Sequence, residues 1–110
     1  MTFGNGVDVV TGFTAGAGGD RLDVLVAGSP TTLIGETVAD LTAAQEVFFA
    51  SGTYNSTTGL FTILANGTGA DTMIVQADNG VAASDSLLTN ASVVVLVGVD
   101  SDNLVAANFI

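Results

Sequence analysis

The stretch TYNSTTGLFTILANGTGADTMIVQA, residues 53–77, contains the clearest local indication of the fold. Short runs of β-branched and aliphatic residues alternate here with clusters of Asn, Ser, Thr and Gly, a pattern typical of strands separated by turns. Residues 55–59 supply the turn of a β-hairpin, in which Gly59 can adopt the positive φ that a short loop needs. The pattern predicts strands over 60–65 and 71–77, with 47–54 as the first strand of the hairpin.

The same pattern continues on both sides of this stretch, and it predicts further strands at 7–10, 21–27 and 93–99. Fourteen glycines and a single proline suit a fold with many turns. The predicted fold class is all-β: a small β-sandwich or β-roll-like cap with at most one short helix. We expect the strands at 60–65, 71–77 and 93–99 to lie adjacent and to supply most of the core.

Residues 40–48 are the one segment with helix features. Asp40 or Thr42 can cap a helix, and Thr42 with Gln45 has the spacing of a capping box. In the alternative interpretation, EVFFA at 46–50 already begins the strand of the hairpin. The sequence favours a short helix followed by that strand.

Composition limits both the partners and the chemistry of the chain. The 110 residues include eleven acidic side chains and one basic one, Arg21, for a net charge of −10, with no lysine, histidine or cysteine. Nucleic acids need a basic surface, so they are excluded as partners. Catalytic triads and thiolate metal sites are excluded because they need histidine, lysine or cysteine. With 48% hydrophobic residues and no linker, we expect one folded, non-catalytic domain over residues 1–110.

A Gly-x-Gly-x-Asp motif followed by an aliphatic position occurs three times, at 4–10, 16–22 and 67–73. Glycines let the backbone turn tightly so that carbonyl oxygens converge, and the aspartate adds the hard anionic oxygen that Ca²⁺ prefers. The candidate calcium ligands are Asp8, Asp20, Asp23 and Asp71. In the alternative interpretation, these aspartates only cap turns.

This motif resembles the calcium-binding nonapeptide of RTX (hemolysin-type) proteins, G-G-x-G-x-D-x-U-x, in which U is a large aliphatic residue. Phe3, Ala15 and Asn66 stand where the first glycine of the nonapeptide belongs, and the copies are not in tandem. A regular β-roll therefore cannot form from this chain alone. Residues 2–24 are similar to the junction at which an RTX array ends. VVVLVGVDSDNLVAANFI, residues 93–110, is similar to the closing strand and tail of such exoproteins.

The resemblance implies the C-terminal domain of a type I secreted exoprotein of a Gram-negative bacterium. Residues 1–27 would end a calcium-binding region and 28–110 would form a cap with an uncleaved export signal. Such chains leave the cell through an ABC transporter, a membrane-fusion protein and an outer-membrane channel, and bind Ca²⁺ outside, in the extracellular medium or at the cell surface. The transporter would contact the tail, residues 104–110, through Leu104, Phe109 and Ile110, and upstream domains of the parent protein would be further partners.

Two alternatives to this interpretation concern the tail and the assembly state. Leu104, Val105, Phe109 and Ile110 can simply form a final edge strand or turn that closes the core. Some S-layer proteins share this export route, so the chain can also be a self-assembling, homo-oligomeric structural unit of a surface layer or extracellular fibre. Low charge content and exposed strand edges would suit such lateral association.

Overall fold

Within the described part of the chain, the regular structure consists of eight short β-strands and two 3₁₀ turns, Ser101–Asn103 and Ala106–Asn108. A computed structural model describes residues 2–3, 6–23, 34–35, 47–65, 67–77, 87–88 and 91–110. The strands are β1 (Thr2–Phe3), β2 (Asp8–Thr11), β3 (Ile34–Gly35), β4 (Val47–Asn55), β5 (Leu60–Ile63), β6 (Asp71–Ala77), β7 (Leu87–Leu88) and β8 (Ala91–Val97). The predicted all-β class is confirmed. None of the helical turns within these ranges is long and apolar enough to cross a membrane.

Six of the strands form one mixed sheet. Its order is β2-β8-β6-β4, and β3 and β5 pair with different parts of the remaining edge of β4. The β2–β8 and β3–β4 pairs are parallel, and the β8–β6, β6–β4 and β4–β5 pairs are antiparallel. The strands β1 and β7 form a separate parallel pair.

Both faces of the central strands are buried, because β6 and β8 carry apolar side chains at consecutive positions and not at alternate ones. Cross-strand partners share a face: Met73 lies opposite Val95, and Phe49 opposite Ile74. The hairpin face consists of Ala50, Phe61, Met73, Val75, Val93 and Val95, with Phe3 and Val7 among the residues packed against it. The tail face consists of Phe49, Ile74, Leu96, Val99, Leu104 and Phe109, with Phe13 and Leu22 among its contacts.

The predicted hairpin is present as β4 and β5. The Asn55 side chain organises its turn, since Oδ1 accepts hydrogen bonds from the backbone N–H groups of Thr57 (3.0 Å) and Thr58 (3.1 Å). Gly59 has φ +68° and donates its N–H to the Asn55 carbonyl at 2.8 Å. An asparagine side chain thus replaces backbone partners in the loop, the usual reason for its enrichment in turns.

Between β5 and β6, the chain crosses from one edge of β4 to the opposite edge beside Gly52. Both Ile63, the end of β5, and Asp71, the start of β6, are register partners of Gly52. A Cβ on Gly52 would lie 2.4 Å from the Phe61 ring, and a Cβ on Gly69 would lie 2.2 Å from the Gly52 carbonyl oxygen. The close approach of these segments at the crossing therefore requires glycine at both positions.

Two sequence-based expectations need correction. The strand at 60–65 does not lie beside the strand at 71–77, because β4 separates them after the crossing at Gly52; the adjacency of 71–77 and 93–99 is confirmed. The predicted helix at 40–48 is wrong for residues 47 and 48, which belong to β4 and pair with β6. Residues 40–46 lie outside the described part, as do residues 24–27 of the strand predicted at 21–27.

The fully buried Phe61 ring should be a major source of stability. We expect Phe61→Ala to lower the free energy of unfolding by about 3–5 kcal/mol, because it removes a large apolar side chain and leaves a cavity. The matched control is Leu60→Ala on the neighbouring, 39% exposed position, which should cost less than about 1 kcal/mol. Urea unfolding followed by circular dichroism measures both, and equal losses would contradict this description of the hairpin face.

Candidate functional site: the contact between the tail and residues 13–22

The four predicted calcium ligands do not converge on one point. Asp8 lies exposed on β2, and Asp20 and Asp23 are exposed at either side of Leu22, whereas Asp71 is buried at the start of β6. Within the described ranges, no group of three or more His, Cys, Asp or Glu side chains is arranged to hold a metal ion. The fold therefore does not assemble these carboxylates into a shared site.

Asp71 links three strands through its carboxylate. It is 6% exposed, and its Oδ2 accepts a hydrogen bond from the backbone N–H of Tyr54 in β4 at 2.7 Å. Its Oδ1 accepts one from the N–H of Gly98, just after β8, at 2.9 Å. Since charge-assisted bonds to backbone N–H groups are strong, this carboxylate fixes the ends of the two neighbours of β6.

Asp20 shapes residues 13–22, which we call the tail-binding loop. Its Oδ2 accepts a hydrogen bond from the Thr14 N–H at 2.7 Å, and its own N–H donates to the Thr14 carbonyl at 2.8 Å. Gly19 packs directly against this pair, because a Cβ there would lie 2.1 Å from the Thr14 carbonyl oxygen. The second copy of the Gly-x-Gly-x-Asp motif thus closes a tight loop on itself.

Asn108 of the tail is held at the centre of this loop and is completely buried. Its Nδ2 donates to the carbonyls of Gly16 (3.1 Å) and Asp20 (2.8 Å). Its Oδ1 accepts from the N–H groups of Gly16 (3.0 Å) and Val105 (3.0 Å). These four bonds use both donors and both lone pairs of the amide.

Backbone pairing extends the contact on the other side of Asn108. The N–H of Leu22 donates to the Asn108 carbonyl at 2.7 Å, and the N–H of Ile110 donates to the Leu22 carbonyl at 3.0 Å. Leu22 and Phe109 thereby form an isolated parallel bridge. Phe109, 2% exposed, packs in the tail face together with Leu104, 7% exposed. Leu104 and Phe109 thus close the core, as the structural interpretation of the tail expects, whereas Val105 and Ile110 are exposed. The export interpretation is compatible with this, because a transporter would contact the tail before the domain folds.

Sequence reasoning placed Asn108 in the RTX-like tail but assigned no role to it. Asn108 stands in the otherwise apolar run VAANFI, residues 105–110, and a polar side chain in such a run indicates either an exposed turn or a buried partner. The partner lies at a sequence separation of 92 residues, so nothing local identifies it. Ser51 and Ser101 were missed in the same way; their hydroxyl groups form a buried hydrogen bond of 2.5 Å.

The contact holds the chain's own tail through hydrogen bonds and one isolated backbone bridge. Its polar groups are backbone amides and one side-chain amide, which bind and orient but do not transfer protons at neutral pH. A neighbouring open cavity of about 280 Å³ lies between the tail-binding loop and the turn after β8, lined by Phe13, Ala15, Gly16, Gly98, Val99, Asp100 and Asn103.

Comparison with known proteins adds no identification. No family model matches the chain, and neither a curated protein nor a solved structure shows significant similarity to it. The resemblance to RTX proteins therefore depends on the quoted motifs alone.

We expect Asn108→Asp to destabilise the domain strongly. The substituted oxygen would face the carbonyls of Gly16 and Asp20, and a buried carboxylate with one oxygen against two acceptors costs about 3–5 kcal/mol. The matched control is Asn103→Asp, the same change at an exposed position, which should cost less than about 1 kcal/mol. Thermal unfolding measures both variants, and a difference too small to detect would contradict the role assigned to the Asn108 amide.

Proposed function

We propose that the chain is a non-catalytic secretion and folding module of an RTX-like exoprotein that acts outside a Gram-negative cell. The tail of the module carries an uncleaved type I export signal, and the module binds Ca²⁺ after export. Upstream domains of the parent protein are the cargo. Nucleic acid is not a partner, because the chain carries one basic residue against eleven acidic ones.

The main support for this proposal is the contact between two motifs that are far apart in the sequence. Gly19, Asp20 and Leu22 belong to the first stretch that resembles RTX exoproteins, and Asn108 and Phe109 to the second. Asn108 bonds to the carbonyl of Asp20, and Leu22 bridges to Phe109. The two RTX-like stretches contact each other in the fold and so form one structural unit. This supports a common origin with RTX exoproteins more strongly than two separate short matches would.

The proposal also implies an order of events for the tail. In the folded chain Leu104 and Phe109 are buried, while Ile110 is 42% exposed. A transporter that contacts all three side chains must therefore bind the tail before the tail docks into the tail-binding loop. Folding after export then buries the signal, so recognition and core closure use the same residues at different times.

The four aspartates differ in how well their surroundings suit calcium binding. Asp71 fits least, because both of its oxygens accept backbone hydrogen bonds and it is 6% exposed. Asp20 has one oxygen in the bond to Thr14. Asp8 and Asp23 are exposed carboxylates. A calcium shell also needs carbonyl oxygens, and those of Gly16 and Asp20 already accept hydrogen bonds from Asn108. A shell at Asp20 would therefore use other backbone carbonyls of the tail-binding loop.

Export should require the tail itself, but it should not require the folded contact between the tail and the tail-binding loop. In cells that express a type I transporter, membrane-fusion protein and channel, a passenger fused to the full chain should reach the medium. The same fusion truncated after Asp102 should stay inside, soluble and intact, because the signal is absent. The control Asn108→Ala keeps the rest of the tail and removes four hydrogen bonds, so it should still be exported. Export of the truncated fusion at the full-length rate would rule out a signal in the tail.

Calcium should raise the melting temperature through Asp20 and not through Asp71. We expect about 10 mM CaCl₂ to raise it relative to EDTA, since a ligand that binds only the folded state stabilises it. Asp20→Ala should reduce that increment, whereas Asp71→Asn should lower the melting temperature equally in both conditions. The control Asp102→Ala removes an exposed acid outside the motif and should leave the increment unchanged. Identical wild-type curves in calcium and EDTA would exclude this part of the proposal.

A second candidate function is a self-assembling unit of a surface layer or extracellular fibre, and strand β2 favours it. In the described part of the chain β2 pairs only with β8 and forms the edge of the six-stranded sheet. Its side chains Asp8, Val9 and Thr11 are exposed, Val9 to 45%. Exposed edge strands without lysine, proline or a bulge accept strands from other molecules.

Static light scattering with and without about 1–10 mM Ca²⁺ tests this second candidate. The molar mass should rise above that of a monomer, and Val9→Lys should lower it again by placing a charge on the edge. The control Leu64→Lys adds the same charge at a 41% exposed position outside the strands. A monomer under all conditions, or equal effects of the two lysines, would reject assembly through β2.

A further inference from the structure

The sequence contains three Asn-Gly pairs, at 5–6, 66–67 and 79–80. An asparagine before glycine is especially prone to spontaneous deamidation, because glycine has no Cβ to shield its backbone nitrogen. This nitrogen is the attacking group, so the fate of each pair depends on the surroundings of the glycine N–H. Gly6 and Gly67 belong to the described residues, and Gly80 lies outside them.

Deamidation needs only the chain itself and water. The glycine nitrogen loses its proton and attacks Cγ of the preceding asparagine, so that a new C–N bond forms. The Cγ–Nδ2 bond then breaks, and ammonia leaves after taking up a proton. Water opens the resulting succinimide at either of its carbonyl groups and gives aspartate or isoaspartate. Both products carry a negative charge that asparagine lacks, and isoaspartate also lengthens the backbone by a methylene group.

The N–H of Gly6 is only weakly held. It donates to the Phe3 carbonyl at 3.4 Å, which is beyond the usual range for an N–H···O hydrogen bond. Gly6 is exposed, and no atom of the described residues lies within 4 Å of a Cβ placed on it. Solvent can therefore reach this N–H and remove its proton, and the nitrogen has room to attack Asn5.

The N–H of Gly67 is held firmly. It donates to the Ser51 Oγ at 2.9 Å, and Ser51 is 4% exposed. Attack on Asn66 requires this bond to break first. The Asp102 carboxylate packs against the same glycine, since a Cβ on Gly67 would lie 2.5 Å from Asp102 Oδ2. A negative charge at this place also opposes the loss of the amide proton.

The two reactions would have different consequences for the fold. Residue 66 precedes the crossing beside Gly52, where a Cβ on Gly69 would already lie 2.2 Å from the Gly52 carbonyl oxygen. An isoaspartate would insert a methylene group into the chain just before this close approach. Reaction at Asn5 would instead add a negative charge three residues before Asp8, in the first copy of the Gly-x-Gly-x-Asp motif.

We propose that Asn5 is a site of spontaneous deamidation and that the Ser51 hydroxyl protects Asn66 from the same reaction. This inference does not depend on the export or calcium roles. In the folded chain Asn5 should react at nearly the rate of an Asn-Gly pair in unfolded chain. Asn66 should react about tenfold more slowly or less, because the hydrogen bond to Ser51 must open first.

Peptide mapping by mass spectrometry during incubation at neutral pH measures both rates on the unmodified chain. The reference is the same chain in guanidinium chloride, where neither N–H is held and the two asparagines should react at similar rates. A folded chain in which Asn66 reacts as fast as Asn5 overturns the protection. A folded chain in which Asn5 reacts as slowly as Asn66 overturns the assignment of Asn5 as the modified site.

Two serine variants separate the hydrogen bond to Gly67 from general stability. Ser51→Ala removes the acceptor of the Gly67 N–H and should speed the reaction of Asn66 about tenfold, with Asn5 unchanged. The matched control Ser101→Ala also breaks the buried bond between the two serines but leaves Ser51 Oγ in place, so Asn66 should stay slow. No acceleration in Ser51→Ala, or equal acceleration in both variants, overturns the role of Ser51.

Discussion

The buried amide of Asn108 is the interaction on which the tail face depends. The tail-binding loop is rich in glycine and presents backbone N–H and C=O groups toward the interior, and each such group is costly to bury without a partner. Asn108 satisfies groups of Gly16, Asp20 and Val105 with one side chain. Once these are paired, Phe13, Leu22 and Phe109 can cover the apolar surface of the sheet. A polar contact thus makes the apolar packing around it possible.

The strands could be predicted from the sequence more completely than their arrangement. Strand β6 occurs at the predicted 71–77, and β4 and β8 within two residues of their predicted starts, because runs of β-branched residues bounded by turn residues are local features. The change of edge at Gly52 is not local, since it depends on the match between Gly52 and Gly69 across two segments. For residues 47 and 48, pairing with β6 outweighs the capping pattern that suggested a helix.

The candidate site could be predicted only in part, because one motif serves several structural purposes. In each copy the glycines allow a tight turn before an apolar segment, and this part follows from the sequence. The partner of the aspartate does not. Asp20 bonds within its own loop, whereas Asp71 bonds to two neighbouring strands. Backbone N–H groups and calcium compete for the same oxygens, and the outcome depends on contacts far away in the chain.

The separation of 92 residues between Gly16 and Asn108 also sets the expected order of folding. Contacts distant in sequence carry a larger loop-closure cost and form after local ones. The hairpin of β4 and β5 is the most local unit of the sheet, so it is the natural nucleus, followed by β6 and β8. Strand β2 and the tail-binding loop come last, since both need partners from residues 91–110. During synthesis, a nascent chain can therefore form the middle of its sheet first. The tail-binding loop, residues 13–22, can pack only after Asn108 has been synthesised.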